Sequence, residues 1–273
     1  MMADAKPRGR LDARDPPVEA GAAARGQPAP AKPSIVLVHG IWADASTFNN
    51  VIPVLQDDGY EVVAAQCDLE TLASDVEAVK RALGRVRGPT ILVGHSYGGT
   101  VITAAGVDAR VAGLVYIAAL APNEDETSQS LRGRFPASDV LDHTEVLDGR
   151  RWLTPEAVAY LDSDLSDRKR RLIWSTQAAP AADLFLQKVE GTAWRTKPSW
   201  YVVAQDDRVA NPELQRFIAR RMGATLYETS GGHISMLKSP EIVIKAIRDA
   251  ADAVAAAGLP SANPQLVARK AQT

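Results

Sequence analysis

The stretch 91-ILVGHSYGGTVI-102 decides the reading of this chain. Thr90 to Val93 form an apolar run short enough to be a buried strand, and Thr100 to Ala105 read as the buried face of a helix. Between them Gly94 and Gly98 flank Ser96 two residues to either side. A sharp strand-to-helix turn needs that spacing if it is to hold one side chain in the open. The amide of Tyr97 then falls at a helix N-terminus, where it can donate to an anion. The alternative is a glycine-rich turn that only packs a helix onto a strand. The rest of the chain has to separate the two.

Working outward, the same alternation recurs. Ser34 to Val38 read as a strand ending in His39-Gly40, followed by a helix from Thr47 to Asp58 with Ser46 as N-cap and Gly59 as stop. Glu61 to Gln66 read as a strand. Ser74-Asp75-Val76-Glu77 has the pattern of a capping box and opens a helix with Val76, Val79, Leu83 and Val86 on one face. After the Ser96 helix come a strand from Val111 to Ala118 and, later, one from Trp200 to Ala204. Asn211-Pro212 caps a helix that Gly223 closes; Ala224 to Glu228 make a last strand, and a final helix runs from Ser239-Pro240-Glu241 to about Ala257. Continuous apolar strands alternating with helices predict an α/β fold: a six-stranded, mainly parallel sheet with helices on both faces. Residues 121–197 interrupt the alternation. They carry six of the fifteen aromatic residues, with helix starts at Thr154-Pro155-Glu156 and Ser166-Asp167 and no clear strand, and read as a helical cap insertion. Ligands of open parallel sheets bind beyond the carboxyl ends of the strands, so such an insertion would roof the site.

Composition narrows the field. A net charge of −2 without a strong block of either sign gives no electrostatic footing for nucleic acid or an anionic membrane as partner. The single cysteine, Cys67, excludes an internal disulfide framework and a cysteine-based zinc site, and suits a reducing compartment; a cytoplasmic location is expected. No apolar run has the length of a membrane span. Residues 1–33 hold six of the seventeen prolines, nine alanines and no aromatic residue, and read as a disordered tail without the apolar core of a secretory signal. The main domain is expected over 34–258, and 259–273 as a second short tail.

A serine hydroxyl needs a base, a group to orient that base, and donors for the oxyanion that forms on an attacked carbonyl. The chain has four histidines. His95 adjoins Ser96 at a turn where neighbouring side chains diverge; His39 ends the first strand as a structural hydrogen-bonder; His143 sits among acids in the insertion. His233, in 230-SGGHISM-236, follows the last strand and two glycines and is the expected base. The orienting acid precedes it in the nucleophile-elbow order Ser, acid, His. The strand from Trp200 to Ala204 ends in 205-QDDRVANP-212, which offers Asp206 and Asp207, with Asp207 preferred. In 38-VHGIW-42 the glycine lets the backbone swing close, so the Ile41 amide is the expected second oxyanion donor beside Tyr97.

With these residues placed, the chain resembles the α/β-hydrolase superfamily. The resemblance is carried by 35-IVLVHGIWADASTFNNVIPVLQDDGYEVVA-64, 91-ILVGHSYGGTVI-102, 199-SWYVVAQDDRVANPELQRF-217 and 232-GHISMLKSPE-241. It is closest to small bacterial esterases similar to the plant esterase and hydroxynitrile-lyase type. That resemblance implies a triad of Ser96, Asp207 and His233, oxyanion amides at Ile41 and Tyr97, no metal and no organic cofactor. The lyases of this type resemble one another in a threonine where this chain has Gly40 and a lysine where it has Ile234. The lysine helps hold the departing cyanide, so its absence favours ester hydrolysis. The expected activity is cleavage of a small or medium apolar carboxylic ester through an acyl-enzyme. A lactonase or an amide or thioester hydrolase would share the mechanism, and a hydrolase-fold binding protein with slow turnover is the alternative from another class. Trp42, Tyr97, Trp174, Leu184 and Ile234 are the candidates for the substrate pocket, and Cys67 is expected to be inert.

Overall fold

The computed structural model describes residues 32–258. The tails expected at 1–33 and 259–273 lie outside the described residues except for Lys32 and Pro33. The strands are, in chain order, β1 (Ser34–Val38), β2 (Val62–Ala65), β3 (Thr90–His95), β4 (Val111–Ile117), β5 (Thr144–Leu147), β6 (Arg150–Leu153), β7 (Ser199–Ala204) and β8 (Thr225–Thr229). The helices are α1 (Ile52–Asp57), α2 (Leu72–Leu83), α3 (Gly98–Ala105), α4 (Ser128–Arg132), α5 (Val158–Leu161), α6 (Asp167–Thr176), α7 (Pro212–Met222) and α8 (Glu241–Ala256), with short 3-10 turns between them.

Six strands form one parallel sheet in the order β2-β1-β3-β4-β7-β8. A parallel sheet has to be covered on both faces, because its crossovers are helices. Side chains alternate accordingly. Val36 and Val38 of β1 join a core with Leu72 and Val79 of α2, Val101 and Ile102 of α3, and Leu214 and Ile218 of α7. Ile35 and Leu37 point the other way, into a core with Leu55 of α1 and Val243 and Ile247 of α8. The central strands β1, β3 and β7 are buried along their whole length. Strand order reverses between β1 and β3, and at such a switch point the loops leaving the carboxyl ends diverge and leave a crevice. Val38 pairs with Gly94, His95 with Ile117 and Ala204 with Thr229, which brings the ends of these strands to one edge.

Three local elements differ from the sequence reading. The segment after β1 is a 3-10 turn, Ala45–Phe48, capped by Asp44, and α1 starts only at Ile52, because Pro53 is accommodated in a first helical turn. The capping box of α2 belongs to Thr71, with Ser74 at the third helical position, so the helix begins two residues before Ser74. The insertion between β4 and β7 holds an antiparallel hairpin, β5 with β6, as well as helices. Its two-residue turn is Asp148-Gly149, both at positive φ (51° and 74°), which is the turn that matches strand twist.

Candidate active site

Ser96 sits at the tip of the turn between β3 and α3 with φ at +55°, in the left-handed region that a non-glycine residue adopts only under constraint. The constraint is visible. The Ser96 amide donates to the Ile117 carbonyl at 3.0 Å, and the Ser96 carbonyl accepts from Gly99 at 3.0 Å and Leu120 at 3.1 Å. The flanking glycines make room for the bend: a Cβ on Gly98 would lie 2.4 Å from the Val38 carbonyl oxygen, and one on Gly94 2.6 Å from that of Gly98.

His233 follows β8 on the loop 230–233. Its Nε2 lies 2.8 Å from Ser96 Oγ, and its Nδ1 lies 2.7 Å from Asp207 Oδ2. Asp207 leaves the end of β7 and is 5% exposed, yet every lone pair it buries is used. Oδ1 accepts from the amides of Val209 (2.7 Å) and Ala210 (2.9 Å), while Oδ2 accepts from Gln215 Nε2 (2.7 Å) as well as from His233. Four donors around one carboxylate fix its plane. Asp207 as acceptor requires the proton of a neutral His233 to be on Nδ1, which leaves Nε2 as an acceptor facing the serine hydroxyl. Asp206 points elsewhere: its Oδ2 accepts from the Gly231 amide at 3.0 Å, tying the acid loop to the histidine loop.

Two further residues of the cluster had no motif to announce them. Gln215 lies on the buried face of α7 and is 0% exposed. Its Oε1 accepts from the Ala204 amide at 3.0 Å, and its Nε2 donates to the Ala210 carbonyl at 2.7 Å besides Asp207. The one available signal was a glutamine inside the stripe Leu214, Ile218, Ala219. His95 places its Nε2 2.8 Å from the His233 carbonyl. Full burial and the neighbouring His233 push its pKa well below the ordinary histidine value, so it is neutral and donates through Nε2.

The loop after β1 closes the other side. His39 Nε2 accepts from the Cys67 amide at 3.0 Å, so its proton is on Nδ1, which donates to the Gly40 carbonyl at 2.9 Å. Burial lowers its pKa and keeps it neutral. A trans peptide directs the Ile41 N–H away from that carbonyl, toward the side opposite the imidazole. Among the described residues neither the Ile41 nor the Tyr97 amide has a turn, loop or cap partner. Gly40 packs so tightly here that a Cβ would stand 2.7 Å from Ser96 Cβ. The Tyr97 side chain points into the core, where its hydroxyl donates to Asp75 Oδ2 at 2.9 Å. Burial raises Asp75 to about 6. Burial and Asp75 together push the Cys67 thiol far up, which makes it a poor nucleophile.

A cavity of about 340 Å³ opens beside these loops. Its wall includes Ile41 from the β1 loop, Val209 from the acid loop, and Phe185, whose ring stacks on Tyr97 at 5.8 Å. The pocket candidates from the sequence lie off this wall. Trp42 is 2% exposed and spans to the insertion, its Nε1 donating to the Arg151 carbonyl at 2.8 Å. Trp174 faces outward at 44% exposure. Leu184 and Ile234 are buried in the two cores, and the residue next to Leu184, Phe185, lines the cavity instead. Among the described residues no group of three or more His, Cys, Asp or Glu could hold a metal ion, and no helix is long and apolar enough to cross a membrane.

A six-stranded parallel sheet with a serine on the turn after its third strand and a histidine and an acid from later loops is the architecture of an α/β hydrolase. A model of the Alpha/beta hydrolase family matches residues 35–246, and the chain belongs to that family. It is 26% identical over 254 residues to Alpha/beta hydrolase nvfD of Aspergillus novofumigatus (strain IBT 16806), covering 81% of this chain and 97% of that one. It is 27% identical over 259 residues to a pyrethroid hydrolase of Sphingobium wenxiniae, covering 81% of this chain and 88% of that one. The crystal structure of polyneuridine aldehyde esterase superposes with a TM-score of 0.69 at 20% identity, over 80% of this chain and 99% of that chain, a likeness of fold.

Proposed function

We propose that this protein is a serine hydrolase that cleaves a small or medium carboxylic ester through an acyl-enzyme. The observation that carries the proposal is the unbroken hydrogen-bonded run from Ser96 through His233 to Asp207, at 2.8 and 2.7 Å. In this reading His233 takes the Ser96 proton as Oγ attacks the ester carbonyl, and the amides of Ile41 and Tyr97 receive the oxyanion. The imidazolium then protonates the departing alcohol, and Asp207 stabilises its charge. Water, activated by His233 in turn, releases the acid and frees the serine. Asp207 orients the imidazole and stabilises its charge without taking the proton. The segment between β4 and β7 acts as the cap that selects substrate, since most of the cavity wall comes from it. One relative is by name a pyrethroid hydrolase, which is consistent with hydrolytic chemistry.

The test is Ser96→Ala. Hydrolysis of a short acyl ester should fall about 10³-fold or more with the melting temperature nearly unchanged, because the hydroxyl makes one bond and the covalent route depends on it. Activity within about tenfold of the parent would overturn the proposal. The same assay set against cyanide release from a cyanohydrin separates a hydrolase from a lyase. Ile234 offers no cation to a departing cyanide, so release should stay near background.

A further inference from the structure

Among the described residues, six of the seventeen arginines pair with carboxylates, Arg134 and Arg150 being two of them. Arg216 pairs with Glu213 and Glu228, Arg221 with Glu126, Arg110 with Asp108 and Arg248 with Asp58. The cavity lined by Ile41 and Val209 holds two of the arginines outside these pairs. Two arginines, Arg132 at the end of α4 and Arg151 on β6, are the only charged residues in its wall. Among the described residues neither forms an ion pair. Arg132 is half-buried, and its single protein acceptor is the Val209 carbonyl, at a long 3.4 Å. Its guanidinium lies 5.5 Å from the centre of the Phe185 ring. Arg151 donates from Nη1 to Thr144 Oγ1 at 3.1 Å. A guanidinium has five N–H donors. Among the described residues the remaining donors of Arg132 and Arg151 are not buried away from water, and an anion in the cavity would exchange that water for charge-assisted hydrogen bonds. Burial lowers the pKa of Arg132, and the charge of Asp207 opposes the shift. The group stays a cation at any physiological pH.

We propose that this cavity receives a carboxylate of the substrate, so that the esters cleaved at Ser96 carry a second, ionised acid group held by Arg132, with Arg151 adding positive charge to the wall. The inference rests on the ester-hydrolase reading and replaces the apolar ester expected from the sequence with one that carries a charge. The position suits the role. Val209 ties the two sites together, since its amide donates to Asp207 and its carbonyl accepts from Arg132. Ile41, which carries one of the proposed oxyanion amides, and Phe185 line the same cavity as the arginine. A planar guanidinium takes a carboxylate through two parallel hydrogen bonds, which orients the substrate as well as holding it. The acid can belong to the acyl side, as in a monoester of a dicarboxylic acid, or to the alcohol side, as in an ester of a hydroxy acid.

Matched substrates test this. On the acyl side, mono-para-nitrophenyl adipate is compared with para-nitrophenyl hexanoate. On the alcohol side, the acetate ester of gamma-hydroxybutyrate is compared with that of butanol. The readout is the ratio of kcat/KM for the charged ester to that for its neutral twin, so any general effect transmitted through Asp207 divides out. In the parent this ratio should exceed one by about tenfold or more for one of the pairs, mainly through KM, and fall as ionic strength rises. Arg132→Gln should lower the ratio about tenfold or more, and Arg132→Lys should restore part of it. A parent ratio at or below one for both pairs, or a ratio that Arg132→Gln leaves in place, overturns the inference. A calorimetric titration with monomethyl adipate does not depend on turnover: Ser96→Ala should bind it, and Ser96→Ala combined with Arg132→Gln should bind it about tenfold or more weakly. If no ester is hydrolysed but this difference persists, the hydrolase reading fails and the carboxylate site stands.

Discussion

The carboxyl edge of the sheet and the insertion above it are built on opposite terms. At the edge, α3 is buried at all eight positions, and Ser96, Asp207 and His233 are each less than 10% exposed. Each is pinned by backbone hydrogen bonds or by a buried polar side chain that is itself paired. In the insertion, α6 has no buried residue, and seven of the nine exposed large apolar side chains lie between Leu141 and Leu186. One region is over-determined and therefore rigid; the other is weakly held and free to vary. On the proposed reading the difference gives chemistry to the edge and selectivity to the insertion, because reaction geometry tolerates little displacement while a binding wall can be rebuilt.

Replacing Asp207 tests the rigidity hardest. Asn at this position offers one acceptor oxygen to four donors. If that oxygen faces Val209 and Ala210, the amide nitrogen faces Gln215 and His233. His233 must then accept through Nδ1 and carry its proton on Nε2, toward Ser96, where it is no longer a base. Turnover should fall on the order of 10²–10⁴-fold, the upper end being the value the serine-protease example of this change shows. Asp206→Asn keeps an acceptor for Gly231 and should cost less than about tenfold. If the two effects are exchanged, the orienting acid is Asp206 and the hydrogen-bonded run is misread.

Gly40→Ala asks whether packing at the edge is as unforgiving as its hydrogen bonds. The new Cβ would start 2.7 Å from Ser96 Cβ and 3.2 Å from Oγ, so the serine or the β1 loop has to move. Displacement of a reacting group by a fraction of an ångström to one ångström should lower kcat by about 10²-fold, with a smaller effect on KM. Unchanged kinetics would show that the edge yields, and the contrast with the insertion would weaken.

The same contrast governs what a reader of the sequence can find. The elbow at Ser96, the strand ends and the loops carrying His233 and Asp207 are written in local patterns of apolar runs, glycines and chain order. Gln215 and His95 are not, because their partners are 8 and 138 residues away and their orientation follows from tertiary packing. In α2, Ser74 is the last residue of a capping box as well as a plausible first one, and only Thr71 resolves which. The β5–β6 turn lies in 147-LDGR-150, whose Asp-Gly pair is a hairpin signal, but the helix starts that follow it at Thr154 and Ser166 are stronger. The cavity wall was least legible. Aromatic residues of the insertion suggested contacts, yet Trp174 faces solvent while Phe185, Val209 and Arg132 line the space, since which face of a short cap element turns inward depends on the elements beneath it.

The smallest effects should come from the insertion itself. Trp174 Nε1 donates to the Leu153 carbonyl at 3.1 Å, and Gln177 Nε2 donates to the same oxygen at 3.2 Å. Gln177 also accepts from the Leu153 amide through Oε1 at 2.8 Å. Trp174→Phe therefore removes one donor from a carbonyl that stays paired and should cost no more than about 1 kcal/mol, a fall of about 2–4 °C in melting temperature at most, with kcat/KM within about threefold. Gln177→Ala leaves the amide of the buried Leu153 without its acceptor and should cost more, about 1–3 kcal/mol. Because both side chains serve one carbonyl, the double variant should lose more than the sum of the single losses. Additive losses would mean that the two donors act separately. A large loss of activity from Trp174→Phe alone would mean that the insertion positions the reacting groups, and the division of labour between edge and insertion would have to be redrawn.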